Sequence, residues 1–434
     1  MFSVIRNLAL VLVALLAANV SSALLGPTTG AIGTDNLGGT SAAASPPASL
    51  YPYTVNDGMI KDASGNLVDM QCVNWPGHME TNLPEGLQFQ PLSTIVNHIA
   101  DSNLYNCVRL TYAVELLSKL DVTARESFTQ NNANDDSGFD LSPHIANFTE
   151  HNPNLIDENL GTIFQKTAKA LGDSGIAVLM SNHVSKSIWC CGFDDGNGWF
   201  NDEFFEPTAW QESLVGVAKL MGNLPNVVAL DLRNELRTDQ HKRNEQIDDF
   251  MHYIPDAINA ILNGNKDLLV FVSGLSYDND WKFLDEGRNS QAWDDVLVDK
   301  KASIVFESHI YSWSPFGTIE PGESCDHLTF DEMLGWPVKN GFPMVLSEIG
   351  TTIDSFSDPS QDLTWWNCVR DFILEYKQGY AMWLLAGSYY YRAGDMNHPD
   401  SFGLLETDFS GYKNQEVIDK NREMQWLNER SKKD

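Results

Sequence analysis

Positive charge is scarce in this chain. Its 434 residues include 28 lysines and arginines against 59 aspartates and glutamates, which gives a formal net charge of −31 at pH 7. So large an acidic excess repels phosphate backbones, and we therefore expect no nucleic-acid partner. The simplest role of this charge is to keep copies of a soluble secreted protein apart, and we expect a monomer.

Long apolar runs are also lacking, apart from one near the start. Leu8–Ala18 follows the basic Arg6 and is too short to span a bilayer easily. Ser21 and Ala23 then supply the small side chains that a signal peptidase requires. This pattern predicts a secretory signal peptide over residues 1–23 rather than a short membrane anchor. We expect a secreted, extracellular protein without a membrane span.

Common cofactor and metal motifs are absent. The sequence has no zinc-ligand pattern, no phosphate-binding glycine loop and no Gly-x-Ser-x-Gly nucleophile turn. The stretch DDGNG offers possible calcium ligands in Asp194, Asp195 and Asn197. It lacks the spacing and the closing glutamate of a calcium-binding loop, so we predict no metal site and no cofactor.

Cysteine is sparse but even in number. An oxidising compartment favours disulfides among the six residues Cys72, Cys107, Cys190, Cys191, Cys325 and Cys368. The sequence alone does not choose the pairing, and Cys107 lies in an apolar run where a buried free thiol is an alternative. Asn147 begins the only N-glycosylation acceptor of the predicted mature chain, which predicts a glycoprotein.

The composition changes near residue 50. Residues 24–50 are rich in Gly, Ala, Ser, Thr and Pro without apolar periodicity, which is typical of a flexible low-complexity segment. From residue 51 to residue 434 the composition is globular, and no internal linker or repeat is visible. We therefore predict a single domain over residues 51–434.

Eight short apolar runs alternate with helical patterns in this domain. The runs are DMQCVNW, NCVRLTY, IAVLMSNH, VVALDLRNE, LLVFVSG, SIVFESHIY, PMVLSEIG and YAMWLLAG. Apolar residues at helical spacing lie between them, as in the sets Leu92, Ile95, Val96, Ile99; Trp210, Leu214, Val217, Met221; and Ile247, Met251, Ile254, Ile258, Ile261. Continuous apolar strands of this kind suit a parallel sheet that is covered on both faces.

Two α/β architectures fit this alternation, a (β/α)8 TIM barrel and a doubly wound open sheet. Polar and aromatic residues decide between them, because they recur at the C-terminal ends of the runs: Asn74, Arg109, His183, Asn234, Glu235, His309, Tyr311, Glu348 and Trp383. In a barrel these ends converge on one cleft, whereas in an open sheet many would lie far apart. We predict the barrel.

Two carboxylates at strand ends indicate a chemistry. Glu235 ends the fourth run and Glu348 lies near the end of the seventh. Two carboxyl groups that flank a glycosidic bond can cleave it, one protonating the leaving oxygen while the other attacks the anomeric carbon. Arg109 would keep Glu348 ionised, and Asn234 would offer an amide to a sugar hydroxyl. A lone glutamate in such a place is more often part of a salt bridge, but a converging set favours catalysis.

The ordered motifs resemble those of glycoside hydrolase family 5. They are NCVRL at 106–110, SNH at 181–183, RNEL at 233–236, SHIY at 308–311, SEIG at 347–350 and MWLLAG at 382–387. The resemblance spans roughly residues 55–405. WCCGFDDGNGWF at 189–200 resembles, more narrowly, a secreted eukaryotic subgroup that is called cellulase-like.

The resemblance implies a role for each matching residue. Glu235 would be the acid/base and Glu348 the nucleophile. Arg109 and Tyr311 would stabilise the nucleophile, and Asn234 would contact the sugar 2-hydroxyl. The remaining substrate-binding residues would be His183 and His309, which would line the sugar site, and Trp383, which would stack on the ring. One departure is Ser181, where many relatives carry Asp, and this puts the support of His183 in doubt.

The expected function is therefore a secreted retaining glycoside hydrolase that acts on a β-linked carbohydrate, foremost as an endo-β-1,4-glucanase. The same chemistry on mannan, β-1,3- or β-1,6-glucan, a glycolipid or an aryl β-glycoside is the first alternative. A catalytically silent carbohydrate-binding wall protein is the second, although the chain keeps both glutamates. Trp199, Trp281 and Trp313 are candidates for stacking on further sugars, and the long stretch 113–155 is a candidate wall of the cleft.

Overall fold

The computed structural model describes residues 50–134, 140–313, 319, 323–325, 330–353, 356 and 361–427. The predicted signal peptide and nearly all of the segment 24–50 lie outside these residues. Within the described part of the chain, no helix is long and apolar enough to cross a membrane.

The strands form one large sheet and two small hairpins. They are β1 (Thr54–Asn56), β2 (Met59–Lys61), β3 (Gln71–Trp75), β4 (Cys107–Ala113), β5 (Ala177–Val184), β6 (Val227–Asp231), β7 (Leu269–Val272), β8 (Ile304–Tyr311), β9 (Met344–Gly350), β10 (Gly379–Met382), β11 (Ser388–Arg392) and β12 (Asp395–Pro399). Strands β3 to β10 are parallel and close into a barrel, with β10 beside β3. Each overlaps one of the eight predicted runs, so the (β/α)8 barrel is confirmed and the open sheet was the wrong alternative.

Among the described residues, the helices lie between strands along the chain, except for the last helix, which follows β12. They are α1 (Leu92–Asp101), α2 (Ala124–Asn134), α3 (Pro143–His151), α4 (Leu160–Asp173), α5 (Pro207–Leu220), α6 (Arg243–Gly264), α7 (Leu275–Asp278), α8 (Gln291–Asp299), α9 (Phe330–Lys339), α10 (Gln361–Tyr376) and α11 (Gln415–Arg422). The predicted apolar faces point inward, since Ile95, Val96 and Ile99 of α1 are buried. Such faces hold the helices against the outside of the barrel.

Both faces of the barrel strands are covered, which explains their unbroken apolar sequences. Every residue of β4 and of β5 is buried. Inside the barrel, Leu179, Phe271 and Val305 belong to one apolar cluster. The hairpin of β1 and β2 adds Val55 and Ile60 to this cluster. Polar groups inside such a barrel need partners, which they find towards the C-terminal ends of the strands.

The described residues of the stretch 113–155 include a 3-10 helix at Val114–Lys119 as well as α2 and α3. A ring nitrogen of His144 on α3 lies 2.9 Å from the backbone oxygen of Tyr390 in β11. The stretch therefore packs beside the β11–β12 hairpin. Asn147, the predicted glycosylation acceptor, is exposed on α3.

All six cysteines pair. The disulfides join Cys72 to Cys107, Cys190 to Cys191, and Cys325 to Cys368. Cys72 and Cys107 are register partners on the neighbouring strands β3 and β4, so the free-thiol alternative for Cys107 was wrong. The predicted disulfide bonding is confirmed.

Candidate active site

A cleft of about 400 Å³ opens where the barrel strands end. Six of the eight predicted site residues line it: His183, Asn234, Glu235, Tyr311, Glu348 and Trp383. The other two, Arg109 and His309, are buried and contact members of this set. The closed barrel therefore brings together residues that are as much as 274 positions apart, from Arg109 to Trp383.

Glu348 is held from two sides. Its Oε1 accepts a hydrogen bond of 2.8 Å from Arg109 Nη1, and its Oε2 accepts one of 2.5 Å from the Tyr311 hydroxyl. The side chain is 4% exposed. A buried carboxylate needs such partners, because an unpaired buried charge is costly.

Arg109 connects four side chains beneath the cleft. Nη1 also donates to Asn74 Oδ1 at 3.0 Å, while Nη2 donates to Asp231 Oδ2 at 2.6 Å and to Asn234 Oδ1 at 2.9 Å. Its planar fork of donors suits several acceptors at once. Arg109 thereby fixes Glu348 and Asn234 relative to one another.

Glu235 lies beside His309 and Asp278. His309 Nδ1 is 2.9 Å from Glu235 Oε1, and the Glu235 backbone N–H donates to Asp278 Oδ2 at 3.0 Å. Glu235 has a φ of 47°, a left-handed conformation that side-chain-bearing residues adopt rarely and often at functional sites. One carboxylate oxygen each of Glu235 and Glu348 and one His309 ring nitrogen lie within 4.8 Å of one another.

The surroundings of the two carboxyl groups shift their pKa values by different amounts. Burial raises the pKa of Glu235 to about 7, against opposition from Arg237 and Arg109. Burial also raises the pKa of Glu348, but His309, Arg109 and the Tyr311 hydroxyl oppose that rise. Burial lowers the pKa of His309 to about 4, so the ring is neutral near pH 6. In this arrangement Glu235 retains its proton more readily than Glu348 does.

Aromatic rings form one wall of the cleft. The rings of His183 and Trp383 are parallel within 8° with centroids 5.4 Å apart. The ring of His78 lies 4.0 Å from that of His183 and is fully buried, with Nδ1 2.7 Å from Thr111 Oγ1. His78 was not among the predicted site residues. Its signal was its position just after the first barrel strand in NWPGH.

Asn234 lies between Arg109 and the Cys190–Cys191 disulfide. Its Oδ1 accepts from Arg109, and its Nδ2 lies 3.5 Å and 3.6 Å from the two sulfurs. These contacts orient the amide, and both cysteines line the cleft.

The neighbouring Arg233 has a structural role. It is fully buried, and it donates to Asn182 Oδ1, to Ser185 Oγ and to the backbone oxygen of Asn197 at 2.6 to 3.1 Å. Its guanidinium also lies 4.0 Å from the ring of Phe205. Arg233 thus anchors the loop that follows β5.

The DDGNG stretch belongs to the same loop. Asp195 Oδ1 accepts hydrogen bonds from Asn197 N–H and Arg237, and its Oδ2 accepts from Gly192 N–H. Asn197 Oδ1 accepts from the N–H groups of Ser185 and Lys186. Protein donors therefore account for these oxygens.

The three further tryptophans differ in exposure. Trp281 is fully buried, and its Nε1 lies 3.0 Å from the backbone oxygen of Glu307, so it is a packing residue. Trp199 is 6% exposed, and its Nε1 donates to Asp249. Trp313 is 67% exposed, lines the cleft and stacks on Tyr311. The lining residues of the cleft that the structure describes lie outside the stretch 113–155.

Ser181 supports Arg109 instead of His183. Its hydroxyl donates to Asp231 Oδ2 at 2.6 Å, the same oxygen that accepts from Arg109. Asp231, in β6, is thus a site residue that sequence reasoning missed, as is Asp278 in the loop after β7. Neither lies in a motif, although both are acidic residues at or beyond a strand end.

Comparisons with known proteins agree with this geometry. Residues 105–388 match the cellulase family model, glycosyl hydrolase family 5. A glycosyl hydrolase 5 family protein from Chamaecyparis obtusa is 33% identical over 395 residues, which cover 88% of this chain and 67% of that protein. The chain belongs to glycoside hydrolase family 5. It is therefore a glycosidase that hydrolyses O-glycosyl compounds, which confirms the predicted enzyme class and the resemblance.

Solved structures share the family 5 fold at low identity. An endocellulase from Pyrococcus horikoshii in complex with cellotetraose has a TM-score of 0.65 and 19% identity, over 88% of this chain and 100% of that one. The catalytic domain of the major endoglucanase from Xanthomonas campestris pv. campestris has a TM-score of 0.65 and 17% identity, over 86% and 100%.

Proposed function

We propose that this family 5 enzyme is a retaining β-glycosidase, with Glu235 as acid/base and Glu348 as nucleophile. The approach of their carboxylate oxygens to within 4.8 Å carries the proposal. Retaining glycosidases hold their two carboxyl groups about 5 Å apart, whereas inverting enzymes leave a wider gap for water.

The first step forms a glycosyl-enzyme ester. A Glu348 oxygen attacks the anomeric carbon while Glu235 gives its proton to the leaving glycosidic oxygen, so the departing sugar leaves as a neutral alcohol. Arg109 and the Tyr311 hydroxyl hold the attacking carboxylate in place through the hydrogen bonds described above. Their donation also stabilises the carboxylate when it leaves in the second step.

The second step releases the sugar. Ionised Glu235 takes a proton from water, the resulting oxygen attacks the anomeric carbon, and the bond to Glu348 breaks. Glu235 is thereby reprotonated and Glu348 is again a carboxylate. The pKa of about 7 for Glu235 suits a group that must give and take a proton in one cycle.

The remaining predicted residues bind the sugar in this proposal. Trp383 offers a flat apolar face to the ring, and His183 packs behind it. Asn234 presents its amide to the 2-hydroxyl, while His309 holds the acid/base.

We propose an endo-β-1,4-glucan as the substrate and a monomeric, secreted enzyme. Support comes from the endocellulase and the endoglucanase that share the fold, one of them bound to cellotetraose. The three disulfides support an oxidising compartment, and residues 1–23 would then be removed to leave a catalytic domain over residues 51–434 behind its flexible segment.

The deciding experiment compares the chain purified from culture medium with its Glu348→Gln and Glu235→Gln variants. We expect the wild type to release oligosaccharides from soluble β-1,4-glucan. The Glu348→Gln variant should lose about 10⁴-fold or more of this activity, because a neutral carboxamide is too weak a nucleophile to replace the carboxylate. N-terminal sequencing of the same material should begin near Leu24.

Mannan, β-1,3- and β-1,6-glucan, glycolipid and aryl β-glycosides form the rest of the panel. Faster release from one of them would replace the substrate assignment and leave the chemistry intact. Equal activity of wild type and Glu348→Gln would remove Glu348 from the mechanism. Binding without release by the wild type would favour a carbohydrate-binding protein.

A further inference from the structure

A one-turn segment after β7 is bonded to the loop that carries Glu235. In α7, Ser276, Tyr277 and Asp278 all have φ between 53° and 61°, a left-handed turn without glycine. Runs of left-handed conformation are costly for residues with side chains and persist where surrounding contacts hold them.

Three contacts join this turn to the acid/base loop. Tyr277 N–H donates to the Leu236 backbone oxygen at 3.0 Å, and Ser276 N–H donates to Thr238 Oγ1 at 3.0 Å. Asp278 Oδ2 accepts from the backbone N–H of Glu235. Each of the three residues of the turn is therefore hydrogen-bonded to the loop that carries Glu235.

Asp278 also faces the ring that contacts Glu235. Its Oδ2 lies 3.5 Å from His309 Nε2, and the opposite ring nitrogen, Nδ1, is 2.9 Å from Glu235 Oε1. One buried carboxyl oxygen thus accepts a hydrogen bond from the backbone of Glu235 and lies beside the ring that contacts the Glu235 side chain.

The choice of an acid at this position has no explanation in packing. Asp278 is fully buried, and burial together with nearby Glu307 and Glu235 raises its pKa well above the usual range. Burying a carboxyl group near other acids is unfavourable, so an amide or apolar residue would stabilise the fold better. Residues that break such a rule are expected at functional positions.

We propose that Asp278 is a positioning residue for the acid/base, which holds the strained backbone of Glu235 and determines which ring nitrogen of His309 carries the proton. This inference rests on the proposed function of Glu235. Asp278 is not among the described residues that line the cleft, and in this proposal it acts through Glu235 and His309. Loss of its acceptor would let the acid/base leave its productive position, and a small misplacement of a catalytic group slows the reaction strongly.

The kinetic test compares Asp278→Ala with Asp278→Asn. Two aryl or alkyl β-glycosides of the same sugar serve as substrates, one with a 2,4-dinitrophenyl leaving group that departs without protonation and one with a poor leaving group. We expect Asp278→Ala to lose about 100-fold in kcat/KM on the poor leaving group and less than about 5-fold in kcat/KM on the activated one. This ratio reports the first step, in which only the poor leaving group needs a placed acid.

Asp278→Asn should recover most of that loss, because its carboxamide oxygen still accepts from Glu235 N–H. Asp280→Ala is the matched control, since it removes a nearby, partly buried carboxylate that pairs with Arg243. Equal losses on both glycosides, or no rescue by Asp278→Asn, would overturn the inference and show a merely structural role.

A second readout does not require activity. The ¹⁵N shifts of the His309 ring, assigned by difference with His309→Gln, report which nitrogen holds the proton. Asp278→Ala should change them while Asp280→Ala leaves them as in wild type. Unchanged shifts in Asp278→Ala would refute the inference, whereas wild-type inactivity on every glycoside would refute only the proposed function.

Discussion

At the scale of single residues, the buried guanidinium of Arg109 compensates the charge of two buried carboxylates in the site. Arg109 forms ion pairs with both Glu348 and Asp231, and in the proposed mechanism its pairing with Glu348 keeps that carboxylate available for attack. Glu235 has no such ion pair with an arginine or lysine in the described part of the chain, and the ring that it contacts, His309, is neutral at mildly acidic pH. Two glutamates in one cleft therefore have different proton affinities because their neighbours differ.

This difference predicts the pH dependence of the enzyme. Glu235 must hold its proton in the first step, so kcat/KM should fall above about pH 7, roughly tenfold per unit. The measurement is the pH profile of kcat/KM on a glycoside with a poor leaving group. As a control, the residual kcat/KM of Glu235→Gln on an activated glycoside should not fall above pH 7. A wild-type kcat/KM that stays constant up to pH 9 would contradict the role of Glu235 as the acid.

At the scale of elements, strands and helices were predictable and loops were not. The apolar face of α1 predicted its packing, because a helix must bury such a face. The contact of Asp278 with Glu235 joins two loops 43 residues apart. No local pattern encodes that distance, since loop conformation follows from the tertiary contacts at both ends.

The Cys72–Cys107 disulfide should stabilise the barrel at this scale. It joins β3 to β4 across 35 residues of chain, which predicts that Cys72→Ala with Cys107→Ala lowers the free energy of unfolding by about 3 to 4 kcal/mol. Chemical unfolding monitored by tryptophan fluorescence would measure this. At denaturant concentrations just below the unfolding transition of the variant, its kcat and KM should match those of the wild type. An unchanged midpoint of unfolding would show that the disulfide does not stabilise the fold.

At the scale of the whole molecule, some of the many carboxyl groups are buried, where the ionised form is unfavourable. The chain carries a formal charge of −31, yet several carboxyl groups are buried, among them Asp69, whose pKa burial raises to about 7. Asp69 Oδ2 accepts from Gln71 Nε2 and from the backbone N–H of Leu427. It thereby connects the start of the barrel with the end of the described chain.

Stability should therefore decrease as pH rises. The folded state retains a proton on Asp69 up to about pH 7, whereas the unfolded chain loses it near pH 4. The contribution of this proton to the free energy of unfolding is therefore complete below about pH 4 and is lost by about pH 7. We expect the unfolding temperature to fall from pH 5 to pH 8, and less steeply in Asp69→Asn. Asp57→Asn removes the same charge from an exposed side chain and should keep the wild-type slope. Parallel slopes in all three proteins would contradict this account.

The sequence by itself determined the barrel, the family and the positions of the polar residues at strand ends. Alternating strands and helices with inward apolar faces leave few architectures, and a barrel gathers its strand ends at one mouth. Only the tertiary structure decided which groups meet there: Asp278 with Glu235, Ser181 with Asp231, and the partner of each cysteine. Those contacts depend on ångström-scale distances between segments far apart in the chain, which are set when the barrel closes.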